Sequence, residues 1–301
     1  MSINNLRKTF RQKLETDGIV LPGAFNALTA LQIQKQGFDG CYISGAALSA
    51  GAGLPDIGLL TMNEFSFFIK YIVEAVSIPC IADMDTGFGE PVNVARMMRE
   101  MEQLGLAGVH IEDQVLPKRC GHLEGKELIT IEAMNEKIKI ATMTRKDENF
   151  LLIARTDARG VEGLSAAIGR AHAYIEAGAD AIFPEALKTK EEFETFSREV
   201  KVPLLANMTE FGKSPHFSAT ELMDMGYKMV IFPVTALRVA MKGTESLYQA
   251  LKTEGTQKSL LDRMQTRDEL YELLRYDDYA RLDEKVAHFR PKTAEPKDDD
   301  P

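Results

Sequence analysis

The chain has 301 residues, 45% of them apolar, and a formal net charge of −9. That length can bury one large α/β domain or two ordinary ones, and an acidic chain without a basic arm or an aromatic-interleaved Lys/Arg run argues against nucleic acid. No apolar run reaches the roughly 20 residues of a membrane span, and MSINNLRKTFRQKLETDG lacks the apolar core of a signal peptide, so the expected compartment is cytoplasmic. Cysteines 41, 80 and 120 are too few and too widely spaced for a disulfide framework or a zinc site; Cys41 and Cys80 lie in apolar runs and read as core thiols.

In chain order, Leu6, Phe10 and Leu14 give residues 4–17 one apolar helical face. A short strand follows at 19–23, a helix at 26–36 ended by Gly37, and a second strand at 40–45. GAGLPDIG (51–58) reads as a Gly/Pro loop carrying Asp56. Thr61 and Glu64 have capping-box spacing for a helix to about residue 76. Further apolar strands are expected at 78–82, 108–111, 150–154, 181–183, 203–206 and 229–232. Helices are expected between them, including 131–145 and one carrying Arg238. Short apolar strands alternating with helices without a break favour a (β/α)₈ TIM-type barrel over an open doubly wound sheet. Residues 1–290 then form one domain that includes extra C-terminal helices, anchored by Tyr248, Leu251, Leu270, Leu273 and Leu274 and expected to pack on another subunit. The last stretch, 291–301, reads as a disordered tail.

The polar residues have a common position: Ser44, Asp83, Asp85, Glu112, Arg155, Glu185, Asn207 and Arg238 all fall at or after strand C-termini, the face of a (β/α)₈ barrel that carries the active site. Asp83 and Asp85, two apart on an expected extended segment, offer hard oxygens suited to Mg²⁺, although two solvated loop acids have the same spacing. Arg155, Arg238, Lys118 and Arg119 call for a polyanionic ligand. Cys120 lies between Lys118-Arg119 and His122, and cations beside a thiol lower its pKa. The Pro- and Gly-punctuated loop 114–126 is expected to close over an anion. His110, in an apolar run, reads as a core histidine.

Ser44-Gly45-Ala46, the run Asp83-Met84-Asp85-Thr86-Gly87-Phe88-Gly89, Glu112-Asp113-Gln114 and Lys118-Arg119-Cys120-Gly121-His122 together resemble the isocitrate lyase and phosphoenolpyruvate mutase superfamily, over about residues 5–290. The cysteine loop is similar to the lyase branch. The compact length, with Phe183-Pro184-Glu185 and residues 265–272, resembles the members that cleave 2-methylisocitrate to pyruvate and succinate in the methylcitrate cycle of propionate catabolism. The resemblance implies Mg²⁺, with Mn²⁺ able to substitute, on Asp83 and Asp85. It implies contacts to the pyruvyl half from Ser44, Gly45, Ala46 and Arg155, and to the succinyl half from Glu185, Asn207, Thr209, Arg238 and Arg267, with Gly121 and Met208 completing the substrate set. It gives Cys120 the role of carbon acid, Tyr42 that of candidate base, and Lys118, Glu112 and His122 supporting catalytic places. It also implies a homotetramer with swapped C-terminal helices. Cleavage of isocitrate or dimethylmalate, oxaloacetate decarboxylation, and a non-catalytic metabolite-binding barrel stay open at this point.

Overall fold

The computed structural model describes residues 3–287; the expected tail 291–301 lies outside the described residues. Two compact units are present, one to Glu245 and one from Ser246.

In the first unit, eight parallel strands run in the order β6-β5-β4-β3-β2-β1-β8-β7. They are β1 (Ile19–Ala24), β2 (Cys41–Ile43), β3 (Cys80–Asp83), β4 (Gly108–Glu112), β5 (Leu151–Thr156), β6 (Ala181–Pro184), β7 (Leu205–Asn207) and β8 (Met229–Phe232). β1 pairs with both β2 and β8. β6 meets β7 through a single parallel bridge, Ile182 with Leu204, so the sheet curls into a nearly closed barrel with helices between its strands. Most strands bury both faces, as a helix-covered parallel sheet must, while β1 leaves Val20 and Pro22 half-buried. Alternate residues fall into two layers. Leu21, Tyr42, Ile81, Leu151, Ile153 and Phe183 belong to an inner cluster with Phe10 and Leu14 of the helix Ile3–Glu15, while Cys41, Cys80, Val109, Leu152 and Ile182 belong to the outer layer under the helices.

Arg7 on that same first helix is also buried: its guanidinium donates to the carbonyls of Leu106 (2.8 Å) and Glu102 (2.6 Å), pairs with Asp147 at 3.1 Å and covers the Phe150 ring. The capping box at Thr61 and Glu64 forms as its spacing predicts and opens the helix Met62–Ala75. Several strands run further than expected at their C-terminal ends: β3 ends on Asp83, β4 on Glu112, β5 on Thr156 and β7 on Asn207, so these side chains and Arg155 ride on strand backbone. A short helix, Gly45–Gly51, begins where the second strand was expected to run on, because the Ser44 side chain accepts a hydrogen bond from the Ala47 N–H and caps it. The second unit contains the end of the helix Thr235–Glu254, a 3₁₀ turn and the helices Arg267–Leu273 and Tyr276–Ala287. Of its expected anchors Leu273 is buried, while Tyr248, Leu251 and Leu274 are exposed.

Candidate active site

The register of neighbouring strands brings the polar residues to one end of the barrel. Asp83 stands opposite His110, Glu112 opposite Arg155, and Arg155 opposite Phe183. Asp85 is not on an extended segment: at φ 48° it enters the left-handed region, which Asp tolerates better than most residues, and the two carboxylates converge through this turn rather than through strand alternation. The Asp85 N–H donates to Asp83 Oδ1 at 3.0 Å. Gly45 permits the approach of the short capped helix, since a Cβ there would lie 3.0 Å from Asp83 Oδ2. Tyr42 points into the same end, its hydroxyl 2.8 Å from His110 Nε2, with the rings stacked.

Loop 114–126 folds over these residues. Lys118 is buried, its Nζ 2.6 Å from both Asp56 Oδ1 and Asp85 Oδ1. Gln114 clamps the turn, its side-chain amide accepting from the Arg119 N–H (2.9 Å) and donating to the Arg119 carbonyl (2.8 Å). Gly121 is wedged against the barrel: a Cβ there would be 2.4 Å from both Arg155 Nη2 and Glu185 Cγ. No larger residue fits without moving buried groups. His122 places Nε2 3.0 Å from Glu185 Oε1 and accepts the Lys213 N–H on Nδ1 at 2.9 Å. Arg155 is held by both oxygens of Asp157, at 2.9 and 3.2 Å, and lies 3.3 Å from Glu112 and from Glu185. Lys118 and His122 of the loop thus rest on the protein's own carboxylates.

Burial and charge set the protonation states. Cys120 departs from the expectation: burial pushes its thiol up, Glu185 adds to this, and the His122 backbone and Arg155 offset only part of it. The two cations that precede it in sequence point elsewhere, Lys118 to Asp56 and Asp85 and the exposed Arg119 to the Glu124 carbonyl. Burial pushes Tyr42 well above the usual phenol range, with Asp83 adding to it, and holds His110 down near 4, so that it is neutral. Burial likewise raises Glu112, whose Oε1 has no hydrogen-bond partner. Burial works to raise Glu185 too, but Arg155 and His122 outweigh it and hold that carboxyl well below the usual range.

Among the described residues no group of three or more His, Cys, Asp or Glu is arranged as a metal cage. A cation that keeps most of its waters needs fewer donors. Asp83 and Asp85 supply hard oxygens in a buried setting that already draws one cation, Lys118, and burial together with Asp83 pushes Asp85 up to about 6. This donor set fits Mg²⁺. A cavity of about 420 Å³ lies beside it, lined in part by Leu60, Asp85, Phe88, Arg96 and Leu116.

Of the other residues expected at the site, Ser44, Gly45 and Ala46 open the short helix after β2. Asn207 ends β7 with its side-chain amide 3.3 Å from Glu185. Met208 is buried beside it, accepting the Phe217 N–H on sulfur, and Thr209 is half-buried. Arg238 is not drawn in: it is half-exposed, 3.4 Å from Glu210 and packed over the Phe211 ring. Arg267 belongs to the second unit, exposed at the start of its helix. Sequence reasoning passed over Asp56, Lys126, Asp157 and the bond from His110 to Tyr42. Asp157 sits directly behind β5 and Asp56 in the Gly/Pro loop, which are positional signals; nothing local marks Lys126.

An acid-rich strand-end site roofed by a cysteine loop on a (β/α)₈ barrel defines a class of metal-assisted enzymes acting on carboxylates. The family model for phosphoenolpyruvate phosphomutase matches residues 10–252, and the chain belongs to that phosphoenolpyruvate mutase and isocitrate lyase family. Within it, the chain is 49% identical to a 2-methylisocitrate lyase of Halalkalibacterium halodurans, covering 95% of each chain. Among solved structures, 2,3-dimethylmalate lyase superposes with a TM-score of 0.88 at 33% identity over 97% of this chain and 98% of the other. Phosphonopyruvate hydrolase in complex with oxalate and Mg²⁺ superposes with a TM-score of 0.83 at 30% identity, over 96% and 99%.

Proposed function

We propose that this chain is a Mg²⁺-dependent lyase that cleaves 2-methylisocitrate to pyruvate and succinate. The observation that carries the reading is the seat of Gly121 against Arg155 and Glu185. It sets a protonated thiol and a histidine over an anion clamp, at the barrel end that holds the paired aspartates. The nearly 50% identity to a lyase of that substrate over almost the whole chain supports it.

Asp83 and Asp85 would hold the ion, which when bound would supply Lewis-acid polarisation of substrate oxygens. Arg155, with its fork fixed by Asp157, grips a carboxylate. Tyr42 keeps its own proton at neutral pH and takes the substrate hydroxyl proton by passing that proton to neutral His110. As the hydroxyl proton leaves, the O–H pair becomes the pyruvate carbonyl. The broken C–C pair moves onto the carboxylate-bearing carbon of the succinyl fragment, where Cys120 delivers a proton. Glu112 and His122 border that path, and Lys118 adds positive charge beside it. Ser44, Gly45, Ala46, Gly121, Glu185, Asn207, Met208 and Thr209 line the substrate space, and Arg238 and Arg267 are further candidate cations for its carboxylates. That oligomer is a cytoplasmic homotetramer in which the C-terminal helices cross between subunits. The exposed apolar side chains of the second unit, Leu261, Tyr276, Tyr279, Leu282 and Val286, support a partner surface there.

Incubation with 2-methylisocitrate and Mg²⁺ should release pyruvate and succinate one for one. EDTA should abolish the reaction, and Mg²⁺ or Mn²⁺ in excess should restore it. Full turnover in excess chelator would reject the metal, and no pyruvate from 2-methylisocitrate alongside turnover of isocitrate or dimethylmalate would reassign the substrate.

A further inference from the structure

Lys126 lies at the far end of the cysteine loop, outside the K-R-C-G-H motif, yet its ammonium is buried. A buried ammonium must be paired and hydrogen-bonded to be tolerated. Its Nζ donates to the Gly121 carbonyl and to Asp157 Oδ1, the latter at 2.7 Å. The first partner is the backbone between Cys120 and His122. The second is the carboxylate that holds Arg155 through Nε and Nη2.

Asp157 is itself fixed from below. Its N–H donates to Asp113 Oδ1 at 2.9 Å, and Asp113 Oδ2 accepts from Thr156 Oγ1 and from the Tyr174 hydroxyl, each at 2.8 Å. Tyr174 in turn accepts from Arg170 at 3.0 Å, and both lie on the outer helix Leu164–Glu176. A continuous polar chain therefore runs from that helix through Asp113, Asp157 and Lys126 to the apex of the loop. From the opposite side the apex rests on Arg155 and Glu185.

We infer that Lys126 is a positioning residue that locks the Cys120-Gly121-His122 apex to the Arg155 clamp through Asp157, so that proton donor and carboxylate grip keep one fixed spacing. Catalytic groups held within a fraction of an ångström act as part of the substrate's own geometry, and a displacement of about 1 Å costs on the order of 100-fold in rate. Lys126 spends its ammonium on the Gly121 carbonyl and Asp157, and acts through them. The inference deepens the lyase reading and rests on it for its kinetic consequence alone.

The test uses the full chain with Mg²⁺ and compares wild type, Lys126→Met, which keeps the stem and removes the donors, and Lys126→Arg, which keeps charge and donors. Hydrogen exchange of the amides between 119 and 124 should accelerate about tenfold or more in K126M, while β4 and β5 keep their protection. Turnover should fall about 10- to 100-fold with KM changed less than about threefold, because Asp157 still holds Arg155 by two bonds. K126R should recover most of both losses. Wild-type loop exchange and wild-type kcat in K126M would overturn the assignment, as would loss of protection spread evenly over β4, β5 and the loop, the mark of a structural role alone. If K126M fails to fold, Lys126→Gln, which keeps one N–H donor, is read by the same outcomes. The exchange measurement needs no substrate, so it decides the role of Lys126 even if 2-methylisocitrate is not cleaved.

Discussion

Cys120 combines two requirements that conflict in sequence and are reconciled in space. A thiol among cations should ionise, but burial raises this one and its cationic neighbours turn away, which suits the proton donor proposed above. Cys120→Ser should bind substrate nearly as wild type does and lose about 10²- to 10⁴-fold in kcat, the ordinary worth of a placed acid; a variant with most of its turnover would remove the role. The thiol's alkaline limb should lie above the ordinary value of about 8.5, so kcat should hold through neutral pH and alkylation by iodoacetamide at pH 7 should be slow. Gly121→Ala tests the seat of the loop. A methyl group 2.4 Å from Arg155 Nη2 and Glu185 Cγ must lift the apex, and kcat/KM should drop at least about 100-fold while circular dichroism stays that of wild type. Activity within a few-fold of wild type would mean that the apex has room to spare.

At the scale of elements, the loop and the ends of β5 and β6 are joined by charge. Glu185 meets Arg155 and His122 in a buried cluster, and its carboxyl lies well below the usual range although burial alone would raise it. A carboxylate depressed in the folded state contributes stability that is complete above its unfolded pKa of about 4.3 and is lost as pH falls through the folded value. Thermal stability should therefore decline below about pH 4.3, and Glu185→Gln should flatten that acid limb while lowering stability at pH 7. An unchanged acid limb in the variant would assign the loss to other carboxylates. Much of this element-level layout was legible beforehand. Seven of the eight apolar segments, β2 to β8, carry polar residues at or behind their ends, since a strand buried on both faces leaves little place for polar side chains along its length. The capping box at Thr61 was legible for a similar reason: a helix start is fixed by side chains three residues apart.

For the whole molecule, the second unit exposes apolar side chains that water disfavours, and removal of residues 246–301 should yield a smaller oligomer by light scattering, with activity reduced. A wild-type chain that is monomeric and fully active would reject the swapped arrangement and any site role for Arg267. Arg238 carries the same lesson from within the first unit: it follows β8 as a site residue should, yet turns to Glu210 and Phe211. Position along the chain states which barrel end a residue belongs to, and not where a long side chain goes. The sequence by itself determined the strand rhythm and the barrel end to which Asp83, Glu112, Arg155 and Glu185 belong, because apolar periodicity and residue type act locally. Only the tertiary structure decided that Lys118 rests on Asp56 and Asp85, that Lys126 ties Gly121 to Asp157, and that Cys120 keeps its proton. Each depends on burial and on which opposite charge lies within a few ångströms, and both are set by segments far apart in the chain.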